Sequence, residues 1–170
     1  MREDLRESMP DEEMNIVLRE ATPEDEPFLL DVYASTRREE LAGLGWDETQ
    51  KRAFIKMQFL ARERSFARGD HRIVLLNERP VGRLLVERNE AAILLKDIAF
   101  LSEYRNAGIG TRLIEQLKQE AIASGKSITL HVLGTNPAVR LYERLGFRSS
   151  DGNSAYQEAY LEMKWVPATS

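Results

Sequence analysis

The sequence contains no cysteine. Disulfides, thiolate metal sites and a covalent cysteine intermediate are excluded by that absence. Histidine is nearly as scarce, with His71 and His131 the two in the chain, so a multi-histidine metal centre is not expected. No run of 18 or more apolar residues occurs, so no segment reads as a membrane-spanning helix. Nor is there an excess of positive charge. Twenty-four basic residues stand against twenty-eight acidic ones, a net charge of −4. Nucleic-acid binders usually carry a basic patch and a high pI, so that role is disfavoured.

What is present fits one domain, since 170 residues suit the length prior and can bury a real core. Residues 1–14 are densely charged with both signs and lack the apolar centre of a signal peptide, so they read as a flexible lead-in. Residues 15–166 read as the domain and 167–170 as a short tail. A cytoplasmic location is the default expectation. The chain shows no internal repeat and no low-complexity segment.

Ile16 to Glu20 reads as a strand leading into Thr22-Pro23-Glu24-Asp25, where Thr22 suits an N-cap and Pro23 the first helical position. Phe28, Leu29, Val32 and Tyr33 form the apolar stripe of a first helix. After the loop Ala42 to Trp46, Asp47 caps a second helix running to about Ala67. Phe54, Ile55, Met57, Gln58, Leu60 and Ala61 are expected on its inner side. The period then changes to that of strands: 72–77 and 81–88 form a hairpin around a Glu78-Arg79-Pro80 turn, in which Pro80 is also placed to begin the second strand, and 92–101 follows an Asn89-Glu90 turn. Ile109, Leu113, Leu117 and Ala121 recur at helical spacing, with Ile114 and Ile122 beside them, and the helix stops at Ser124-Gly125. A strand over 127–133, a helix ending at Gly146 and a last strand over 156–165 complete the chain. This order argues for an α+β fold around one mixed sheet.

The turn Arg105-Asn106-Ala107-Gly108-Ile109-Gly110 joins a strand to an amphipathic helix. Such a turn aims backbone N–H groups at the positive end of the helix dipole and makes a phosphate cradle. It lacks the third glycine of a dinucleotide turn, because Leu113 stands there, and the lysine of a P-loop, because Thr111-Arg112 follow Gly110. The cradle therefore suits a pyrophosphate held by amides, with Arg105 available as a charge partner.

A second motif follows the next strand, Asn136-Pro137-Ala138-Val139-Arg140-Leu141-Tyr142-Glu143-Arg144-Leu145-Gly146-Phe147. The two motifs, in this order and separation, resemble those of the GCN5-related N-acetyltransferase (GNAT) superfamily. The best match runs from about Ile93 to Phe147. The resemblance implies a single-domain acyl-CoA N-acyltransferase fold, a mixed and mostly antiparallel sheet with helices on both faces. It implies an acyltransferase that moves an acetyl group from acetyl-CoA, as co-substrate and without a metal, to a primary amine.

By the same resemblance, the backbone of Asn106, Ala107, Gly108, Ile109, Gly110 and Thr111 holds the pyrophosphate. Ile98, Ala99 and Phe100 pair with the pantetheine arm where two parallel strands splay apart. Asn136 hydrogen-bonds that arm, or caps its own helix, or both. Tyr142 is the candidate general acid, because a phenol with a pKa of about 10 is protonated at neutral pH and can donate to a leaving thiolate. The alternative is a tyrosine that only fills the core.

The general base is less defined. An alkylammonium with a pKa of about 10.4 needs roughly 4–5 kcal/mol to become neutral at pH 7. Many relatives carry a glutamate early in the strand before the loop, where this chain has Leu94. Asp97 is the nearest carboxylate on that strand; it is a candidate base, or it orients a loop or pairs with Lys96 or an arginine, and a water chain in place of a side-chain base is the further alternative. Glu39, Glu40 and Trp46, at the exit of the first helix, lie where relatives shape the acceptor pocket. His131 on its strand is a candidate for the same pocket or an ordinary strand histidine. With no cysteine to carry the acyl group, direct transfer in a ternary complex is expected. The alternatives are a non-catalytic acyl-CoA-binding module, another acyl chain, or an oxygen acceptor. The expected partner is a small-molecule or peptide amine rather than nucleic acid or membrane, and a homodimer is compatible with the resemblance.

Overall fold

The computed structural model describes residues 14–149 and 160–168. In chain order the elements are β1 (Ile16–Glu20), a 3-10 turn (Pro23–Asp25), α1 (Glu26–Ala42), α2 (Glu48–Ser65), β2 (Asp70–Leu76), β3 (Arg79–Arg88) and β4 (Ala92–Phe100). A 3-10 turn (Ser102–Tyr104), α3 (Ile109–Ser124), β5 (Ser127–Leu133), α4 (Ala138–Arg144), β6 (Arg148–Ser149) and β7 (Tyr160–Trp165) follow. The strands form one seven-stranded sheet in the order β1-β2-β3-β4-β5-β7-β6. It is mixed: β4 and β5 run parallel, whereas β1/β2, β5/β7 and β6/β7 run antiparallel. The expected α+β sheet with helices is what the chain forms. Of the expected last strand, 156–159 lie outside the described residues, as do 1–13 of the lead-in and 169–170 of the tail.

The described residues divide into two compact units, 14–67 with 71–84 and 99–105, and 68–70 with 85–98, 106–149 and 160–168. In the first unit, Leu29 of α1, Phe59 of α2 and Ile73 of β2 form the core, joined by Phe28, Tyr33 and Leu75. Local chemistry fixes the ends of the helices. Asp25 opens α1 and takes both Arg19 guanidinium nitrogens at 2.7 and 2.8 Å, together with the Thr22 N–H at 2.8 Å. The hydrogen bonds from Arg19 hold its carboxyl down at about 2. Asp47 and Gln50 exchange side-chain and backbone bonds in a capping box that starts α2.

The inner face of α2 differs from the expected one. Phe59 is buried, but Met57 is 60% exposed and Leu60 and Ala61 are exposed with it. Phe59 is the residue that reaches the core, and this puts Met57 and Ala61 on the opposite side of the helix. The hairpin also turns earlier than expected. Asn77 and Glu78 carry positive φ values of 50° and 72°, giving a two-residue turn, and Arg79 and Pro80 already belong to β3.

Arginines and aromatic rings alternate through this unit. Arg37 lies 5.6 Å from the Tyr33 ring centroid, Arg62 5.6 Å from Tyr33 and 5.1 Å from Phe66, and Arg83 5.8 Å from Phe66. Arg83, 4% exposed, also pairs with Glu63 and donates to His71 Nδ1 at 3.2 Å. Because the arginine can only donate and the Phe66 carbonyl only accept, His71 carries its proton on Nε2, 2.8 Å from that oxygen.

The second unit is built on α3. Its stripe Ile109, Leu113, Ile114, Leu117 and Ala121 is buried as the periodicity requires, whereas Ile122 is 53% exposed. Buried in the same unit are Ile128, Leu130 and Val132 of β5, Leu161 and Met163 of β7, and Phe147. Each such fully buried side chain contributes about 1.5–3 kcal/mol relative to exposure. Gly125, at φ 68°, ends α3 in a left-handed cap whose N–H reaches the Ala121 and Ile122 carbonyls.

Candidate functional site

The parallel pair of the second unit is where the sheet opens. Paired residues run from Ala92↔Ser127 to Leu95↔Leu130 and stop there, although β4 continues to Phe100 and β5 to Leu133. The paired register of the two strands therefore ends ahead of Ile98, the first residue that the resemblance assigns to the pantetheine arm. Their backbone groups beyond Leu95 and Leu130 have no ladder across the gap, and a bound chain could supply it.

The glycine turn that opens α3 leaves its first amides uncapped. Asn106 has φ 60° and Gly108 φ 85°, both left-handed. Gly108 is the N-cap; no side chain caps the helix and its first turn holds no acidic residue. The first intrahelical bond here runs from Arg112 N to Gly108 O at 3.1 Å, so the amides of Ile109, Gly110 and Thr111 precede it without helical acceptors. A Cβ built at Gly108 would meet no protein atom within 4 Å, so the space before these amides is open. Uncapped donors at a positive dipole end, with open space in front, fit a diphosphate.

Tyr142 and Asp97 come together within this unit. Tyr142 on α4 is 8% exposed, and its ring meets Phe147 edge-on at 5.8 Å. Burial, and then the charge of Asp97, push the phenol up to about 12. Asp97 is half-buried just past the last paired residue of β4. The expected alternative partner Lys96 bonds Glu87 instead, Nζ to Oε1 at 2.6 Å. Adjacent strand residues face opposite ways, which is why Lys96 and Asp97 part company. Leu94, at the position of the glutamate of many relatives, is also half-buried.

Asn136 is exposed, and its side-chain oxygen accepts from the N–H of Ala138 at 2.9 Å, one position ahead of the N-cap Pro137 of α4. His131 is 63% exposed at its side chain and faces Glu162, its cross-strand neighbour, at 3.3 Å. Ile98 belongs to this unit, whereas Ala99, Phe100 and Arg105 belong to the first. There Arg105 turns to α1: Nη2 donates to Ser35 Oγ at 2.9 Å and Nε to Phe100 O at 3.4 Å. Ser35 itself donates to Phe100 O at 3.4 Å. Sequence reasoning did not mark Ser35, and seventy positions from Arg105 it carries no local signal.

The acceptor-side candidates also lie in the first unit. Glu40 pairs with Arg37 at 3.1 Å and remains 59% exposed at its side chain. Trp46 stands edge-on to Phe54 at 5.1 Å and is 36% exposed. Glu39 lies in α1, with its side chain outside the described ones. Among the described residues, no group of three or more His, Asp or Glu could hold a metal ion. Among them too, no helix is long and apolar enough to cross a membrane.

A mixed sheet whose parallel pair parts beside an uncapped glycine turn defines an acetyltransferase type of fold. Comparison with known proteins makes this specific. Residues 67–149, just under half of the chain, match the family model of the acetyltransferase (GNAT) domain. Over that stretch the chain matches a GNAT domain, and the resemblance of its two motifs is borne out. It is 35% identical over 79 residues to the mouse (Mus musculus) cysteine-rich protein 2-binding protein, a stretch that covers 46% of this chain and 10% of that protein.

Among solved structures it is similar to the PaiA N-acetyltransferase of Thermoplasma acidophilum in complex with coenzyme A. The TM-score is 0.65 at 18% identity, covering 91% of this chain and 100% of that one. It is also similar to an acetyltransferase of Thermus thermophilus, with TM-score 0.62 at 19% identity, covering 90% and 97%. At these identities the likeness shows the fold.

Proposed function

We propose that the protein is an acetyl-CoA-dependent N-acetyltransferase, moving an acetyl group directly to a primary amine in a ternary complex. The observation that carries this reading is the parting of β4 and β5 after Leu95 and Leu130, beside the uncapped first turn of α3. Acetyl-CoA would bring an activated acyl group as a thioester. The amides from Asn106 to Thr111 hold its diphosphate, and the open backbone edge of β4 from Asp97 onward pairs with its arm. Asn136, whose oxygen is engaged by Ala138, keeps its amide N–H groups for the same arm.

The chemistry needs one proton removed from the amine and one delivered to sulfur as the C–N bond forms and the C–S bond breaks. Asp97 accepts the first and Tyr142 donates the second. A phenol near 12 is a weak acid while Asp97 is charged. Protonating Asp97 removes one of the two causes of that elevation, so accepting the amine proton prepares Tyr142 to release its own. Arg105, tied to Ser35 and Phe100, braces the loop rather than reaching for phosphate. Glu40 and Trp46 at the exit of α1 are the positions we assign to acceptor recognition.

A thermal-shift titration with acetyl-CoA, free CoA and longer acyl-CoAs, followed by a coupled thiol-release assay on a panel of amines, tests this. Saturating acetyl-CoA at about one hundred times Kd should add about 2.7 kcal/mol of stability, several degrees in Tm. Thiol release that needs both acetyl-CoA and an amine is the expected outcome. Binding without turnover for any acceptor would mark an acyl-CoA-binding module instead, and no shift with any CoA species would end the reading.

A further inference from the structure

Lys118 breaks the pattern of α3. Its neighbours Leu117 and Ala121 are buried, yet its own side chain, 13% exposed, ends in an ammonium. A charge so placed is stable only where acceptors meet it. Nζ donates to the Leu145 carbonyl and pairs with Glu115 at 3.3 Å, and it lies 5.4 Å from the Trp165 ring centroid. Leu145 is the C-cap of α4, so its carbonyl is one of the acceptors that the helix leaves open, at the negative end of the dipole.

The same helix end is held from further sides. Gly146, at φ 96°, has no Cβ, and one built there would stand 3.2 Å from Trp165 Cδ1. Phe147 N donates to Tyr142 O at 2.9 Å while its ring meets that of Tyr142. With seven residues, α4 is too short to hold a direction by its own hydrogen bonds, so its restraints set where its side chains point.

We propose that Lys118 is a positioning residue for Tyr142: its ammonium, seated on Trp165 and bonded to Leu145, fixes the end of α4 and thereby the phenol. The inference rests on Tyr142 as the proton donor of the proposed transfer. It makes Lys118 act through a helix end, with no contact to substrate.

The test replaces Lys118 by Met in the full chain, removing the charge at nearly constant volume. Lys118→Arg is prepared as the conservative variant and Trp165→Phe as a second route to the same latch. All are labelled with 3-fluorotyrosine, and the Tyr142 resonance is assigned by its loss in Tyr142→Phe. Lys118→Met should shift or broaden the Tyr142 resonance. It should lower kcat by about 10- to 100-fold, the scale of a misplaced catalytic group, with KM for acetyl-CoA within about twofold. Lys118→Arg should recover most of the loss. Should Lys118→Met fail to fold, Trp165→Phe must move the same resonance. An unmoved resonance with wild-type kcat in the folded variants overturns the proposal. The resonance needs no turnover, so an inactive wild type whose Tyr142 signal still answers to Lys118 would count against the transferase reading and not against this one.

Discussion

Replacing Tyr142 by phenylalanine removes one oxygen from a side chain that is 8% exposed, and the consequence can be worked out for stability as well as for turnover. The folded phenol is pushed up to about 12, first by burial and then by the charge of Asp97. In the unfolded chain it ionises at about 10. A raised folded value means that the folded state favours the protonated form. The stabilising contribution is whole below about pH 10 and is lost as the pH rises through about 12. From about pH 9 to about pH 11, the wild type should lose about 1.3 kcal/mol more stability than Tyr142→Phe, close to one full unit of linkage. Urea melts of both proteins at a series of pH values read this directly, and the comparison cancels the titration of the lysines. Parallel curves for the two proteins would show that Tyr142 is not buried against a carboxylate as described. The same variant should lose about 10²–10⁴ in kcat while its thermal shift with acetyl-CoA is retained.

Three further outcomes follow from the geometry. Gly108→Val should abolish the thermal shift with acetyl-CoA, because the side chain enters the open space before the amides and strains a left-handed residue by about 1–2 kcal/mol; wild-type affinity would place the diphosphate elsewhere. Gly82→Ala should destabilise the chain by about 1–3 kcal/mol, since the new Cβ runs into the Ala99 carbonyl and lies 2.5 Å from Phe100 Cδ1; an unchanged denaturation midpoint would refute that close approach. Asp25→Asn should flatten the acid limb of stability. The depressed carboxyl contributes above about pH 4, its ordinary value, and this is lost as pH falls through about 2, so equal acid sensitivity of the two proteins would dismiss the Arg19 pair.

Where side-chain periodicity was unambiguous, the chain could be read directly. The buried stripe of α3 and the bounds of β5 match the pattern of their residues. The glycine turn before α3 was legible for a related reason, since glycine, left-handed backbone and helix start are all local. The inner face of α2 was not. Phe54, Ile55, Met57, Phe59 and Leu60 surround most of that helix, so the sequence offers several apolar faces and only packing on Leu29 and Ile73 selects one. The hairpin turn was misplaced because Arg79-Pro80 looks like turn chemistry, while Asn77 and Glu78 adopt the left-handed pair instead. The bonds of Arg105 to Ser35 and of Lys118 to Leu145 span 70 and 27 positions, and distance along the chain hides them.

The alternation Arg37, Tyr33, Arg62, Phe66, Arg83 has a consequence for how the first unit tolerates change. Each ring is shared by two guanidiniums, and the central one, Arg62, is shared by two rings. Substitutions along such a chain do not add, because removing a shared member alters the surroundings of both its neighbours. The terminal rungs can be exchanged one at a time, whereas loss of the middle rung disconnects the two halves. Lysine is a poor replacement anywhere along it, since an ammonium cannot stack as a flat guanidinium does. Of the three arginines, Arg62 is therefore the one expected to tolerate replacement least.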